Sequence, residues 1–131
     1  MNFVQTAEEE IRRLMGRYIQ AHDTRNVDAI VPLFADDGLF TNEAGEWSGR
    51  DRIREFFENS RARAVPGRRS KLMCANSIIS VDGEQAEALT DVVGFRSDDN
   101  GPWQVSLVAQ YADKFVRRDG EWRYAEKRVL T

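Results

Sequence analysis

The chain has 131 residues, a formal net charge of −3 and 41% apolar residues. These values fit one soluble globular domain over residues 1–131, and they exclude a disordered chain. The single cysteine and single histidine argue against a disulfide framework and a Cys/His zinc site. The negative net charge argues against nucleic acid as the main partner, and no apolar run is long enough for a membrane span. Since residues 1–8 do not resemble a signal peptide, we expect a cytoplasmic protein.

The charge is unevenly distributed along the chain. Residues 50–71 contain eight basic and three acidic side chains, so this segment carries +5. Such a run is typical of a solvated helix face followed by a basic loop. It is also compatible with an anionic ligand or partner.

The first half of the chain has helical periodicity. Thr6 and Glu9 form a capping-box pattern, which predicts that the first helix begins there. Apolar residues then recur at helical spacing through Tyr18 to His22, and Asp23 lies on the flank of that stripe.

Two further helices are predicted. Asn26 is a good N-cap for the second helix, and Pro32 predicts that this helix is short or kinked. Ser48 or Gly49 precedes the third. The remaining predictions here are a turn at 36–38, a short strand at 39–41, a turn at 43–46, a third helix at 50–61 and a loop at 64–70.

The second half alternates with a period of two. It predicts strands at 71–82, 85–97, 103–118 and 121–130, with tight hairpins at Asp82-Gly83 and Asp119-Gly120. The expected fold is α+β, with a curved antiparallel sheet covered by three N-terminal helices. Its cone shape, open at one end, suits a small apolar ligand.

This pattern resembles the SnoaL-like and ketosteroid-isomerase-like group of the nuclear-transport-factor-2-like (NTF2-like) superfamily. The resemblance is carried by residues 18–23, 26–37, 49–57, 76–83, 111–115 and 119–122, and by Arg128. It implies a conical α+β barrel that often forms a homodimer through the outer face of its sheet. It also implies acid–base chemistry without a cofactor on apolar molecules, such as isomerisation, dehydration or cyclisation.

One comparison within this group concerns Asp23. In dehydratase-like relatives an aspartate at this position orients a strand histidine, which abstracts the proton. The corresponding stretch here is Lys71-Leu72-Met73, which contains no histidine. Asp23 therefore has either a cavity role or a polar role at the helix end. His22 is not the missing strand histidine, because it lies next to Asp23 on the helix, and it is either a core residue or a catalytic one.

A second comparison, with ketosteroid isomerases, points to other positions. In those enzymes a tyrosine and a protonated aspartate together bind the substrate oxyanion, and this pair is a standard example of pKa tuning. Tyr18 matches the tyrosine, and Asp113 matches the aspartate. Asn42 occupies the place of the catalytic base, and an amide cannot abstract a proton at neutral pH.

Strand parity supports an interior position for Asp113, because it shares a face with Tyr111 and Phe115. A buried acid needs a partner, and we expect either a pair with Arg128 or a network with Tyr111 and Glu126. The same reasoning places Asp91 inside with Leu89, Val93 and Phe95. The candidate catalytic residues are Asp23, Tyr18 and Asp113, and the candidate substrate contacts are His22, Asn42, Met73, Asp91, Tyr111 and Trp47.

The leading hypothesis is a cofactor-independent lyase or isomerase, active on a small hydrophobic metabolite bound in the cone. The alternative is a non-catalytic small-molecule-binding or dimeric scaffold protein with a degenerate active site, favoured by the absent histidine and by Asn42. A third hypothesis is an anion-binding adaptor that uses residues 50–71. One pocket containing Tyr18, Asp23 and Asp113 would favour an enzyme. A filled core that neutralises these acids would favour the scaffold.

Overall fold

The helices begin and end close to where the local signals place them. The computed structural model describes residues 5–131, so the start of the N-terminal segment, on which the signal-peptide argument rests, lies outside the described residues. Thr6 caps the first helix through the predicted capping box, and Asn26 caps the second by accepting from the amide of Ala29. The helices are α1 (Ala7–Asp23), α2 (Val27–Ile30) and α3 (Arg50–Ala62), with a 3-10 turn at Val31–Leu33.

The second helix is short, as Pro32 predicts. After Ile30 the backbone tightens into the 3-10 turn, with proline in its first turn. The chain then becomes extended at Phe34, earlier than expected. Residues 36–38, predicted as a turn, lie within a strand that is irregular between Phe34 and Leu39.

Six strands form one curved, unclosed sheet. They are β1 (Phe34–Asn42), β2 (Gly45–Ser48), β3 (Arg68–Asp82), β4 (Gln85–Asp98), β5 (Gln104–Arg118) and β6 (Glu121–Leu130). Their order across the sheet is β2-β1-β6-β5-β4-β3. The expected helix-covered curved sheet is confirmed, but the sheet is mixed because β1 runs parallel to β6. Strand β3 also begins inside the predicted 64–70 loop.

The core lies between α1 and the inner face of the sheet. Ile11, Leu14 and Tyr18 from α1 pack with Tyr111 and Phe115 from β5, and all of these side chains are buried. Within the described residues 5–131, no helix has the length and apolarity needed to cross a membrane.

Candidate functional site

Asp23, the last residue of α1, lies beside the edge strand β3. Its Oδ1 accepts from the backbone amide of Leu72 at 3.0 Å, and its Oδ2 accepts from Nζ of Lys71 at 2.8 Å. Burial raises the pKa of this carboxyl, but the neighbouring His22 imidazole, the Lys71 ammonium and the Leu72 amide outweigh burial and lower the pKa overall. Asp23 is therefore a carboxylate at neutral pH.

His22 lies next to this carboxylate. Its Nδ1 is 3.8 Å from Oδ1 of Asp23 and makes no hydrogen bond within residues 5–131. The imidazole is about one-third exposed, with 36% of the side-chain surface accessible. With Nδ1 facing Asp23, Nε2 is the nitrogen left free to meet a ligand.

These two residues border a pocket of about 220 Å³ between the end of α1, the helices α2 and α3 and the start of β3. Its apolar lining consists of Val27, Ile30, Phe57, Ala64 and Val65, and Ser60 and Ser70 add hydroxyl groups. Four guanidinium groups complete the lining, from Arg25, Arg61, Arg63 and Arg68. We call this space the His22 pocket.

A larger hollow of about 660 Å³ adjoins the His22 pocket and shares Asp23, Arg25, Arg68 and Ser70 with it. It is lined by Met73, Phe95 and Trp103, together with Arg69 and Lys71. Leu72 between Lys71 and Met73 is buried, so Met73 lies on the outer face of the sheet, whereas the Lys71 ammonium reaches Asp23 at the end of α1. The Arg69 guanidinium is 4.8 Å from the ring centroid of Trp103.

The interior above the sheet is occupied by a tyrosine cage. The rings of Tyr18, Tyr111 and Tyr124 enclose Nζ of Lys127, which is 3.6 Å from the Tyr111 centroid, 4.4 Å from that of Tyr18 and 4.6 Å from that of Tyr124. Burial raises the pKa of all three phenols above the ordinary value. They are therefore protonated hydroxyls across the physiological pH range.

Asp113 is the counter-ion of this buried lysine. Both of its carboxyl oxygens lie 3.3 Å from Nζ of Lys127, and neither side chain exposes more than 1% of its surface. Burial raises the pKa of Asp113 and lowers that of Lys127, while the mutual attraction opposes both shifts. The partner of Asp113 is thus neither Arg128 nor a network with Glu126, and both of those expectations were wrong.

A β-bulge explains why the sequence does not predict an inward-facing Lys127. Tyr124 pairs with Phe115 and Glu126 pairs with Lys114, which leaves Ala125 as an extra residue in β6. The bulge reverses the alternation, so Lys127 faces inward and Glu126 does not. Strict alternation from Tyr124 would have placed Glu126 inside.

The structure does not bring the three candidate catalytic residues together in one pocket. Asp23 borders the His22 pocket, whereas the side chains of Tyr18 and Asp113 are shielded in the tyrosine cage with the candidate substrate contact Tyr111. No three His, Cys, Asp or Glu side chains of residues 5–131 form a group that could hold a metal ion.

The other candidate contacts lie away from the His22 pocket. Asn42 closes the β1–β2 turn by accepting from the amide of Ala44 at 2.7 Å, and Trp47 packs on Phe56 with ring centroids 4.4 Å apart. Met73 is exposed on the outer face of the sheet.

The inward placement of Asp91 was wrong. The buried residues of β4 are its neighbours Thr90 and Val92, so Asp91 lies on the outer face. There it accepts from Asn76 at 3.0 Å and from Gln110 at 3.1 Å.

The comparisons with known proteins agree with this architecture. A family model described as a SnoaL-like domain matches residues 5–128. No curated protein matches the chain in sequence.

Solved structures share the fold over almost the whole chain. An NTF2-like protein with a cystatin-like fold from Novosphingobium aromaticivorans is 25% identical, with a TM-score of 0.82, over 93% of this chain and 79% of that one. A scytalone dehydratase-like protein from the same organism is 21% identical, with a TM-score of 0.80, over 95% and 83%. ActVI-ORFA from Streptomyces coelicolor is 16% identical, with a TM-score of 0.85, over 95% and 96%.

Proposed function

The chain belongs to the SnoaL-like domain family, and from that premise we propose that it is a cofactor-independent acid–base enzyme of the lyase or isomerase type. The observation that carries the proposal is the contact of His22 and Asp23 at the edge of the His22 pocket. The dehydratase-like comparison calls for an aspartate that orients a histidine. Here the histidine comes from the residue preceding Asp23 instead of from β3.

In the proposed reaction His22 is the base. Its Nε2 takes a proton from a substrate carbon that an adjacent carbonyl makes acidic, and the electron pair of the broken C–H bond moves into an enolate. The Asp23 carboxylate, 3.8 Å from Nδ1, stabilises the imidazolium, and a hydrogen bond that forms between them when substrate binds holds the imidazole in position. The imidazolium then returns the proton to another substrate carbon, which completes an isomerisation, or to a departing hydroxyl, which leaves as water.

Lys71 positions Asp23 in this arrangement. Its ammonium is 2.8 Å from Oδ2 and keeps the carboxylate ionised, while Oδ1 faces both Leu72 and His22. Lys71 is therefore unsuited to be the base itself, because its ammonium is engaged by the Asp23 carboxylate.

A deuterium-exchange experiment tests the dyad without knowledge of the natural substrate. Loss of the methyl-ketone protons of acetophenone and 4-acetylbenzoate would be followed in D₂O by NMR. We expect the protein to accelerate exchange for at least one of them, and H22Q to remove about 10²- to 10⁴-fold of that acceleration. D23N should also slow exchange, because the imidazole loses its orienting carboxylate.

Arg117→Gln provides the matched control, since Arg117 is an exposed residue at the far end of β5. Unfolding midpoints of all variants would establish that each is folded. Full exchange in H22Q would refute the role of the dyad, and so would a rate no higher than that of buffer for both ketones.

The second candidate function is ligand binding without turnover. The specific observation in its favour is the tyrosine cage, where Lys127 neutralises Asp113 in a filled core. A protein that binds the ketones but does not accelerate exchange would support this function.

A homodimer is also proposed, formed through the outer face of the sheet. That face exposes apolar side chains, which is unfavourable in water for a monomer, and Val108 is 71% exposed. Its other exposed apolar residues are Met73, Ile78, Leu89 and Val105. Sedimentation should give a dimer mass for the native chain and a monomer mass for Val108→Lys. We propose that the protein acts in the cytoplasm.

A further inference from the structure

We propose that the His22 pocket binds a small organic carboxylate, with its anionic group held by Arg25 and Arg63. The inference rests on the proposed function in so far as that pocket is taken to be the substrate site. It changes the expected ligand from a purely hydrophobic molecule to an anion with an apolar body.

The first argument is the charge of the pocket lining. Four arginines contribute to it, whereas Asp23 is the one acidic residue among the described residues that line the pocket, and Lys71 already neutralises it. Arg61 pairs with Glu58 at 2.5 Å, and Arg68 with Asp98 at 2.8 Å. Within residues 5–131, Arg25 and Arg63 have no carboxylate within ion-pair distance.

The second argument is the backbone at Arg25. The end of α1 is a Schellman motif, in which the amide of Asn26 donates to the carbonyl of Ala21 at 2.9 Å and the amide of Arg25 donates to that of His22 at 3.0 Å. Arg25 occupies the position that glycine normally fills, with a φ of 54°. A long cationic side chain in this left-handed conformation costs stability, and Arg25 is one of the residues that line the pocket.

The third argument is the shape and chemistry of the remaining lining. Val27, Ile30 and Phe57 give the pocket an apolar wall beside the guanidinium groups. Its volume of about 220 Å³ is below the roughly 300–1,000 Å³ of sites for drug-sized ligands. A single-ring or short-chain carboxylate meets both conditions, and the paired donors of arginine match a carboxylate in geometry.

Binding of benzoate tests this inference directly. His22 is the one histidine in the chain, so its imidazole gives a single NMR reporter inside the pocket. We expect benzoate to shift that signal saturably, and benzamide, which has the same ring without the charge, to bind at least about tenfold more weakly.

Variants identify the groups that bind the anion. Arg25→Gly and Arg63→Gln should each weaken benzoate binding by about fivefold or more, while R117Q leaves it unchanged. Arg25→Gly should also raise the unfolding temperature, because glycine suits the left-handed position. Weaker binding in a more stable protein separates ligand contact from a folding defect.

The inference would be overturned by equal affinity for benzoate and benzamide, by full affinity in both arginine variants, or by binding of heparin but not of benzoate. Inorganic phosphate that binds as tightly as benzoate would also overturn it, since the apolar wall would then contribute nothing. Because binding is measured without turnover, these results are independent of the exchange rates of H22Q and D23N.

Discussion

Replacement of Lys127 by methionine tests whether the tyrosine cage is held by its buried charge pair. Methionine has a similar length and no charge, so the change removes the ammonium while most of the volume remains. Asp113 would then be left without a counter-ion at a position where its side chain has no exposed surface. Breaking a buried pair from one side costs about 3–5 kcal/mol.

The structure supports a value in that range. Nζ of Lys127 lies 3.3 Å from both oxygens of Asp113, and the Tyr111 ring centroid is 3.6 Å away. A desolvated cation–π contact is worth about 2 kcal/mol, and its loss adds to the cost. Proton uptake by Asp113 offsets part of this, because burial already raises the pKa of that carboxyl.

Urea unfolding at neutral pH measures the free energy of unfolding for K127M, D113L and the double variant. We expect each single variant to lose about 3–5 kcal/mol. The double variant should lose much less than the sum, because replacement of both charges by apolar groups is often neutral or stabilising. Arg118→Gln is the control, since its pair with Asp37 is exposed to solvent and contributes little to stability.

Additive losses in the double variant would refute the reasoning, as would a loss below about 1 kcal/mol in K127M. If K127M does not fold, D113N removes the charge with a smaller change of volume. It should then show a loss that the control R118Q does not.

Three further predictions concern other parts of the fold. Asp23→Asn should lower the free energy of unfolding at pH 7. Its difference from the native chain should shrink as the pH falls below about 4, because the unfolded state then takes up the proton first, and it should vanish once the pH is below the lowered pKa of the folded carboxyl; denaturant unfolding across pH measures this. Gly38→Ala should lower the free energy of unfolding by about 1–3 kcal/mol, since an added Cβ would lie 3.0 Å from the Ala35 carbonyl oxygen. Gly16→Ala, at an exposed helix position, should raise the free energy of unfolding by about 0.5–1 kcal/mol, and thermal unfolding compares the two variants. Cys74 should react with iodoacetamide more slowly than free cysteine at pH 7, because burial raises the pKa of its thiol; mass spectrometry follows the alkylation.

The sequence predicted the order and bounds of the long strands because hairpin signals mark their ends. Asp82-Gly83 and Asp119-Gly120 punctuate a strongly alternating pattern, and the observed strands end within a few residues of the expected positions. Residues 34–38 were harder to predict, because adjacent acidic residues and a glycine are typical of a turn, whereas here the parallel partner β6 holds them in a strand.

The site was less predictable because two of its determinants are not local. Both faces of β4 carry apolar residues, so alternation alone could not tell whether Asp91 or Thr90 faces the core. The inward turn of Lys127 depends on a bulge that nothing in the sequence of β6 announces. Asp23 was identified from the resemblance, but its contacts with Lys71 and Leu72 depend on how the end of α1 meets β3.

The parallel pairing of β1 with β6 has a consequence for synthesis of the protein. Leu39 in β1 pairs with Glu126 in β6, so a strand made early in translation must wait for one made about ninety residues later. Until residues 121–130 leave the ribosome, one edge of the β1–β2 hairpin has no hydrogen-bonding neighbour. Contacts this distant in sequence slow folding, and the nascent chain would therefore acquire its fold late, after translation of the last strand.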